Sequence, residues 1–246
     1  MGNFLIREEM LLGAQAMAHL ENCHVAVFGI GGVGSYCAEA LARGGVGELT
    51  LVDHDVVSES NINRQLIALR STVGQPKAQV MADRIRDINP DCRVHVLAKL
   101  YTDADKAAFF AQRYDYVVDC IDMVSSKISL ILTAMEHKIP IISAMGTGNK
   151  LDPTKFEITD LSKTKSCHLA RIMRRELRDR GINHHRVLYS TELARTPLPL
   201  EAPPPGKRGL PASVSWVPSC AGLMLAGDVI RQLTAHCEGG APAVSG

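Results

Sequence analysis

The sequence predicts an α/β fold, a mostly parallel sheet with helices packed on both faces. Three observations carry that prediction. Short, continuous apolar runs alternate with helix-period segments as far as residue 145. The first of those runs ends in a glycine-rich turn that opens a helix. The chain, 246 residues with 46% hydrophobic and 22% charged side chains, is long and apolar enough to bury a full core without staples.

Taken in order, residues 8–20 place Met10, Leu11, Ala14, Met17 and Ala18 at helical spacing, so one helix precedes the sheet. HVAVFG (24–29) is a continuous apolar run of the kind a buried parallel strand needs. GIGGVGSYCAEALARGG follows as a turn and an amphipathic helix that stops at Gly44 and Gly45. ELTLVD (48–53) is the second strand, 77–89 a helix closed by Pro90, and CRVHVLA a strand. Residues 103–112 read as a helix, YDYVVDCID as a strand, 126–137 as a helix and IPIISAM as a strand. Beyond Gly146 the rhythm changes to a strand at FEITDLS, a basic helix over 169–180, a strand at RVLYSTE and a helix over 219–235. Residues 196–211 hold six prolines and are expected to form an exposed loop. The expectation is one domain over 1–237, with a C-terminal α+β extension carrying that long Pro-rich loop, and a disordered tail over 238–246.

The formal charge of +1 hides an asymmetry. Residues 1–150 carry 14 basic against 17 acidic side chains, and residues 151–246 carry 13 against 9. The chain thus divides into a nucleotide half, about 1–150, and a basic substrate segment, about 151–237. Seven cysteines with no C-x-x-C pair argue against structural zinc and against a secreted disulfide framework. The start, MGNFLIREEMLLGAQ, lacks the pattern of a signal peptide, and no apolar run reaches membrane-spanning length. A reduced, cytoplasmic protein without a membrane partner is expected. Few aromatics, 4% of the chain, disfavour a base-stacking platform.

Gly29, Gly31, Gly32 and Gly34 occupy a strand-to-helix turn, where small residues let the backbone approach a phosphate chain and the helix N-terminus offers free N–H groups. Asp53 ends the second strand, where a carboxylate accepts ribose hydroxyls. This much is a Rossmann-like nucleotide site, and NAD and ATP both satisfy it. Asn61, Asn63, Arg64, Gln65 and Lys77 favour ATP, because group transfer needs cations on the terminal phosphates as charge develops. Asp119 and Asp122 lie at a strand end that faces the ligand crevice, and Asp122 is the choice to hold Mg²⁺, with helix capping as its other reading. Lys127 reads as a helix-surface cation and receives no role.

GIGGVGS, LVDHD, SNINRQ, the GQPK lysine and the DCID strand end resemble, in that order, the motifs of the ThiF/MoeB/HesA adenylating family, bacterial relatives of ubiquitin-activating enzymes. The resemblance implies ATP-dependent adenylation of a carboxylate, with the glycine turn at the phosphates, Asp53 on ribose, Asn61 and Asn63 near the triphosphate, Arg64 and Lys77 on its phosphates and Asp122 at the metal. It also implies a homodimer in which Arg7 reaches the partner's site.

Within that family, the missing C-x-x-C pairs, the short length, SVSWVPSCAGL and the basic stretch SCHLARIMRRELRDRG are similar to the branch that acts on tRNA, the threonylcarbamoyladenosine dehydratases. Such an enzyme adenylates the threonylcarbamoyl carboxylate so that the modification cyclises with release of AMP. Arg171, Arg174, Arg175 and Arg178 stand at helical i, i+3, i+4, i+7 spacing, suited either to tRNA phosphates or to a solvated face. Cys167, beside His168, is either a packed cysteine or the reactive thiol of a relay with a cysteine desulfurase or other sulfur-acceptor system. Cys23, Cys37, Cys92 and Cys120 read as core, Cys220 stays ambiguous, and His184 and His185 read as polar-loop residues. Two other functions remain open: activation of a small sulfur-carrier protein, and NAD-dependent oxidoreduction, which leaves Arg64 and Lys77 without a use.

Overall fold

A computed structural model of the chain describes residues 3–200 and 211–240. Its helices and strands run, in chain order, α1 (Ile6–Leu12), α2 (Ala14–Leu20), β1 (His24–Phe28), α3 (Gly34–Arg43), β2 (Glu48–Val52), α4 (Lys77–Ile88), β3 (Arg93–Leu97) and α5 (Lys106–Phe109). They continue with β4 (Tyr116–Asp119), α6 (Val124–Glu136), β5 (Ile141–Ala144), β6 (Phe156–Asp160), α7 (His168–Arg178), β7 (Arg186–Ser190) and α8 (Trp216–Leu233). The strands form one sheet ordered β3-β2-β1-β4-β5-β7-β6, parallel throughout except where β6 runs against β7.

Because strand side chains alternate, the sheet separates two cores. Val25 and Val27 of β1 pack with Met17 and Leu20 of α2, Leu41 of α3, Met81 and Ile85 of α4 and Leu225 of α8. Ala26 and Phe28 face the other way, against Phe109, Ile131 of α6, and Met173 and Leu177 of α7. Strand order reverses between β1 and β4, so the loops leaving their C-terminal ends diverge and open a crevice, the usual place for a ligand in such sheets.

Three segments differ from expectation. The single N-terminal helix is two, because Gly13 at φ +84°, ψ 156° leaves helical space between α1 and α2. The helix expected over 103–112 shrinks to a 3₁₀ turn, Asp103–Asp105, and the single turn of α5. Tyr114 closes that turn by donating its hydroxyl to the Phe109 carbonyl at 2.6 Å, while Phe109 and Phe110 turn into the core around Phe28. At the C-terminus, residues 238–240 are held to the body, the Glu238 amide donating to Gln15 Oε1 at 2.8 Å; the rest of the expected tail, 241–246, lies outside the described residues.

Residues 201–210 of the Pro-rich segment also lie outside the described residues, but both of its flanks are fixed by Asn149. The Asn149 carbonyl accepts from the Arg195 amide, and its own amide and side-chain oxygen bond Ala212 at 2.8 and 2.7 Å. Asn149 adopts φ +61°, a left-handed conformation that asparagine tolerates. No helix among the described residues is long and apolar enough to cross a membrane.

Candidate active site

The glycine turn leaves β1 with Gly29 at φ +89° and enters α3 at Gly34. A Cβ on Gly34 would stand 1.7 Å from the Gly29 carbonyl oxygen, so the turn closes only without a side chain there. Asp53 is buried at the end of β2 and clamps this turn: Oδ2 accepts from the Ile30 amide at 2.6 Å, and Oδ1 from the Asp55 amide at 2.8 Å. Each oxygen keeps a further lone pair for a ribose hydroxyl.

Beyond Asp53 the chain doubles back, pairing Val56 with Pro76, and this brings the NINRQ block and Lys77 to one wall. Asn61 is buried and accepts from the Ser58 amide. Gln65 is buried too, and its Oε1 has no hydrogen-bond partner among the described residues, which leaves an acceptor for a ligand's N–H or O–H. Arg64 donates to the Ser60 carbonyl at 2.7 Å and to Asn63 Oδ1 at 3.0 Å but meets no carboxylate among the described residues. Burial pushes its pKa below the ordinary value, the sign of a cation held out of water without a counter-ion. Lys77, buried at the first position of α4, is 2.7 Å from Asp55 Oδ2. Although burial alone would raise Asp55, the Lys77 hydrogen bond and charge hold its carboxyl below the usual range.

The opposite wall is the end of β4. Asp119 is wholly buried and committed, accepting from Lys127 Nζ at 2.6 Å and from the Ile121 amide at 3.1 Å. Asp122 is exposed on the crevice with no polar partner among the described residues, and α6 begins after Met123, so Asp122 caps no helix. Together these walls enclose a cavity of about 520 Å³ reached by Gly29, Gly31, Gly32, Asp53, Asn61, Arg64, Gln65, Lys77 and Asp122. That size suits a nucleotide.

The sequence pattern of the ThiF family matches residues 6–245. The chain belongs to the ThiF family. A tRNA threonylcarbamoyladenosine dehydratase from Bacillus subtilis (strain 168) is 43% identical over 244 residues, covering 94% of this chain and 95% of that one. Crystal structures of the E. coli tRNA N6-threonylcarbamoyladenosine dehydratase in complex with ATP and with AMP each superpose with a TM-score of 0.82 at 37% identity, covering 91% of this chain and 90–91% of theirs.

In this ThiF-family chain, other expected site residues stand elsewhere. Asn63 does not line the cavity; it donates to the carbonyl of Ser213, which does, at 3.0 Å and so ties the NINRQ block to the segment that leads into α8. Arg7 is exposed on α1 and does not line the cavity of its own chain. Around it Phe4, Ile6, Met10 and Leu11 are also exposed, an apolar surface at the N-terminus. Arg171, Arg174, Arg175 and Arg178 line a second concavity along α7, also about 520 Å³, with His168 and Ile172. They are not equivalent: Arg174 is half-buried and bonded to the Thr164 carbonyl at 2.9 Å and hydroxyl at 2.8 Å, and Arg175 pairs with Glu176. Cys167 is buried just ahead of α7, with its sulfur toward Gly146 on the cavity wall.

Three readings of the sequence need correction. Lys127 is no surface cation but fully buried, because α6 turns it toward Asp119 and the Ala144 carbonyl, 3.0 Å away. His185 keeps its place in the loop, directly before β7, but is no solvated polar-loop residue: it is buried and bonded to Ser143 Oγ at 2.8 Å. Cys120 is half-buried rather than enclosed in the core and lines the cavity beside Gly34; burial pushes its thiol up to about 12.

Proposed function

We propose that this protein is an ATP-dependent tRNA threonylcarbamoyladenosine dehydratase, as its full-length relatives are. The carrying observation is the pairing of an unneutralised, half-buried Arg64 with Lys77 on one wall of a nucleotide-sized cavity and a free Asp122 on the other. A hydride-transfer site has no need of that charge arrangement.

In the first step a threonylcarbamoyl carboxylate oxygen bonds to the α-phosphorus of ATP while the bond to pyrophosphate breaks. The glycine turn and the α3 N-terminus receive phosphate oxygens, Asp53 holds the ribose, Asn61 and Gln65 offer amide groups, and Arg64 and Lys77 take up charge on the departing pyrophosphate. Lys77 exchanges Asp55 for phosphate as ATP enters. Asp122 presents hard oxygens with no competing partner among the described residues, which fits Mg²⁺; the ion supplies charge neutralisation on the phosphates. In the second step an atom of the same modification attacks the activated carbonyl, loses its proton, and AMP leaves with the carboxylate oxygen. The nucleoside loses one water in net terms, and no protein nucleophile is needed.

Residues 1–150 form the nucleotide half and 151–237 the substrate segment of one domain, working in the cytosol where tRNA is modified. Exposed Arg171 and Arg178, with Arg175, offer cations to tRNA phosphates, and Arg174 fixes the helix that carries them. The apolar surface around Arg7 supports a homodimer in which Arg7 serves the partner's cavity. A relay from Cys167 to a sulfur-acceptor system would require this buried thiol, packed behind Gly146, to become accessible, and the dehydration itself does not require it.

The test is to incubate the protein with ATP, Mg²⁺ and threonylcarbamoyl-modified tRNA and weigh the nucleoside. Loss of one water with stoichiometric AMP is expected. Unchanged mass, with pyrophosphate exchange that depends on a Gly-Gly carrier protein, would overturn the reading in favour of carrier activation.

A further inference from the structure

Away from the nucleotide crevice, three polar side chains meet at the N-terminal edge of the sheet. His24 opens β1, Glu48 opens β2, and His95 sits in β3. The parallel ladder pairs His24 with Glu48 and Thr50 with His95, so the two-residue alternation puts all four side chains on one face. Glu48 Oε1 lies 2.7 Å from His95 Nε2 and 3.6 Å from His24 Nδ1, and one donor atom from each residue lies within 4.8 Å of the others. A tetrahedral ion with metal–ligand bonds of about 2.0–2.2 Å spaces its donors about 3.3–3.6 Å apart, within the range of those contacts.

The surroundings orient the three donors. His24 Nε2 is bonded to Thr50 Oγ1 at 2.8 Å, which leaves Nδ1 as the ring nitrogen facing Glu48. Arg93 holds the other carboxylate oxygen, Nη2 to Oε2 at 2.6 Å, which leaves Oε1 facing both imidazoles. Partners of this kind, one atom behind the ligand, fix ring and carboxylate orientation in metal centres. Tyr114 packs edge-on against His24 at 4.8 Å between ring centres, while the His95 side chain is 37% exposed, so the cluster has a dry wall and one open side for entry and a water ligand.

We propose that His24, Glu48 and His95 form a divalent-metal site of the zinc class that clips β1, β2 and β3 together at the edge of the sheet. Two imidazoles and a single carboxylate suit a borderline ion such as Zn²⁺, whereas Mg²⁺ and Ca²⁺ favour all-oxygen sites. The lack of C-x-x-C pairs argues against a thiolate zinc site and has no bearing on an imidazole one. Five residue steps along β1, from His24 to Gly29, separate the cluster from the glycine turn by roughly 16 Å of strand, so the role is structural and independent of adenylation.

The full chain, stripped with a chelator, is titrated with Zn²⁺ by calorimetry and with Co²⁺ by visible absorption. Saturable binding of one equivalent, a raised Tm and a tetrahedral cobalt spectrum without thiolate charge transfer are expected. His95→Ala and Glu48→Gln each weaken binding by at least about 10-fold, while His184→Ala retains full affinity. Dehydratase turnover of His95→Ala stays at the wild-type level, so a failed metal test leaves the functional reading standing. Absence of saturable binding in the wild-type chain, a thiolate-to-cobalt band, or full affinity in His95→Ala would overturn the site.

Discussion

Lys127 Nζ and Asp119 Oδ2 stand 2.6 Å apart with both side chains completely withdrawn from water. The same ammonium donates to the Ala144 carbonyl, and the other Asp119 oxygen accepts from the Ile121 amide. One ion pair thus joins the C-terminal ends of β4 and β5 to α6 directly beneath the crevice, and fixes the course of the chain into Asp122. Desolvation offsets much of the Coulomb attraction of such a pair, so its value lies in position more than in net stability.

Removing one partner is a different matter. Lys127→Met leaves the Asp119 charge buried without compensation and should cost about 3–5 kcal/mol, read as a shift in the urea midpoint. Adding Asp119→Leu removes the stranded charge and should restore a substantial part of that loss. A single variant as stable as the wild type would contradict the assignment.

The parallel sheet was legible because β1, β2, β4 and β5 are short apolar runs buried on both faces, and the nucleotide site because a glycine turn and a strand-end aspartate are separated by one helix. Lys127 was misread by residue type alone, since lysine is seldom buried. Its spacing was readable: Lys127, Leu130, Ile131 and Ala134 form an i, i+3, i+4, i+7 stripe, and all four are buried. The Asn63 contact to Ser213 joins residues 150 apart and left no local trace. The His24, Glu48 and His95 cluster appears only once three strands are in register, which no single segment encodes.

His185 makes stability depend on pH. Burial, reinforced by the nearby Lys127 charge, pushes its pKa down to about 3. The unfolded chain takes up this proton near pH 6.5 and the folded chain only near 3, so the contribution is complete above about 6.5 and is lost as pH falls through that window. At pH 5 the loss should be about 2 kcal/mol for this group. Denaturant titrations at pH 5 and 7.5 on wild type and His185→Gln check it, with the smaller pH difference expected in the variant; equal differences would remove His185 as the cause.

Arg64→Ala and Lys77→Ala should each lower AMP formation by about 100-fold or more while the chain still unfolds cooperatively. Arg64 has no carboxylate partner among the described residues to strand, and Asp55, which Lys77 would leave behind, is half-exposed and can be solvated. Rapid-quench measurement of AMP beside a thermal melt separates chemistry from folding. Unchanged turnover in both variants would show that neither cation meets the leaving phosphates.

Arg7 is tested by complementation, because it is exposed on α1 and does not line its own chain's cavity. If it serves the partner's site, Arg7→Ala and Asp122→Ala homodimers are each inactive for complementary reasons. Mixing them creates a heterodimer in which one cavity combines a wild-type Asp122 with a wild-type Arg7 from across the interface. With random exchange half the dimers are mixed and each has one complete site of two, so about a quarter of wild-type activity should return. Recovery must follow the rate of subunit exchange, which dilution and native mass spectrometry report independently. An Arg7→Ala homodimer with wild-type activity would place Arg7 outside the reaction, and inactive homodimers that stay inactive as mixed dimers would show that Arg7 does not act across the interface.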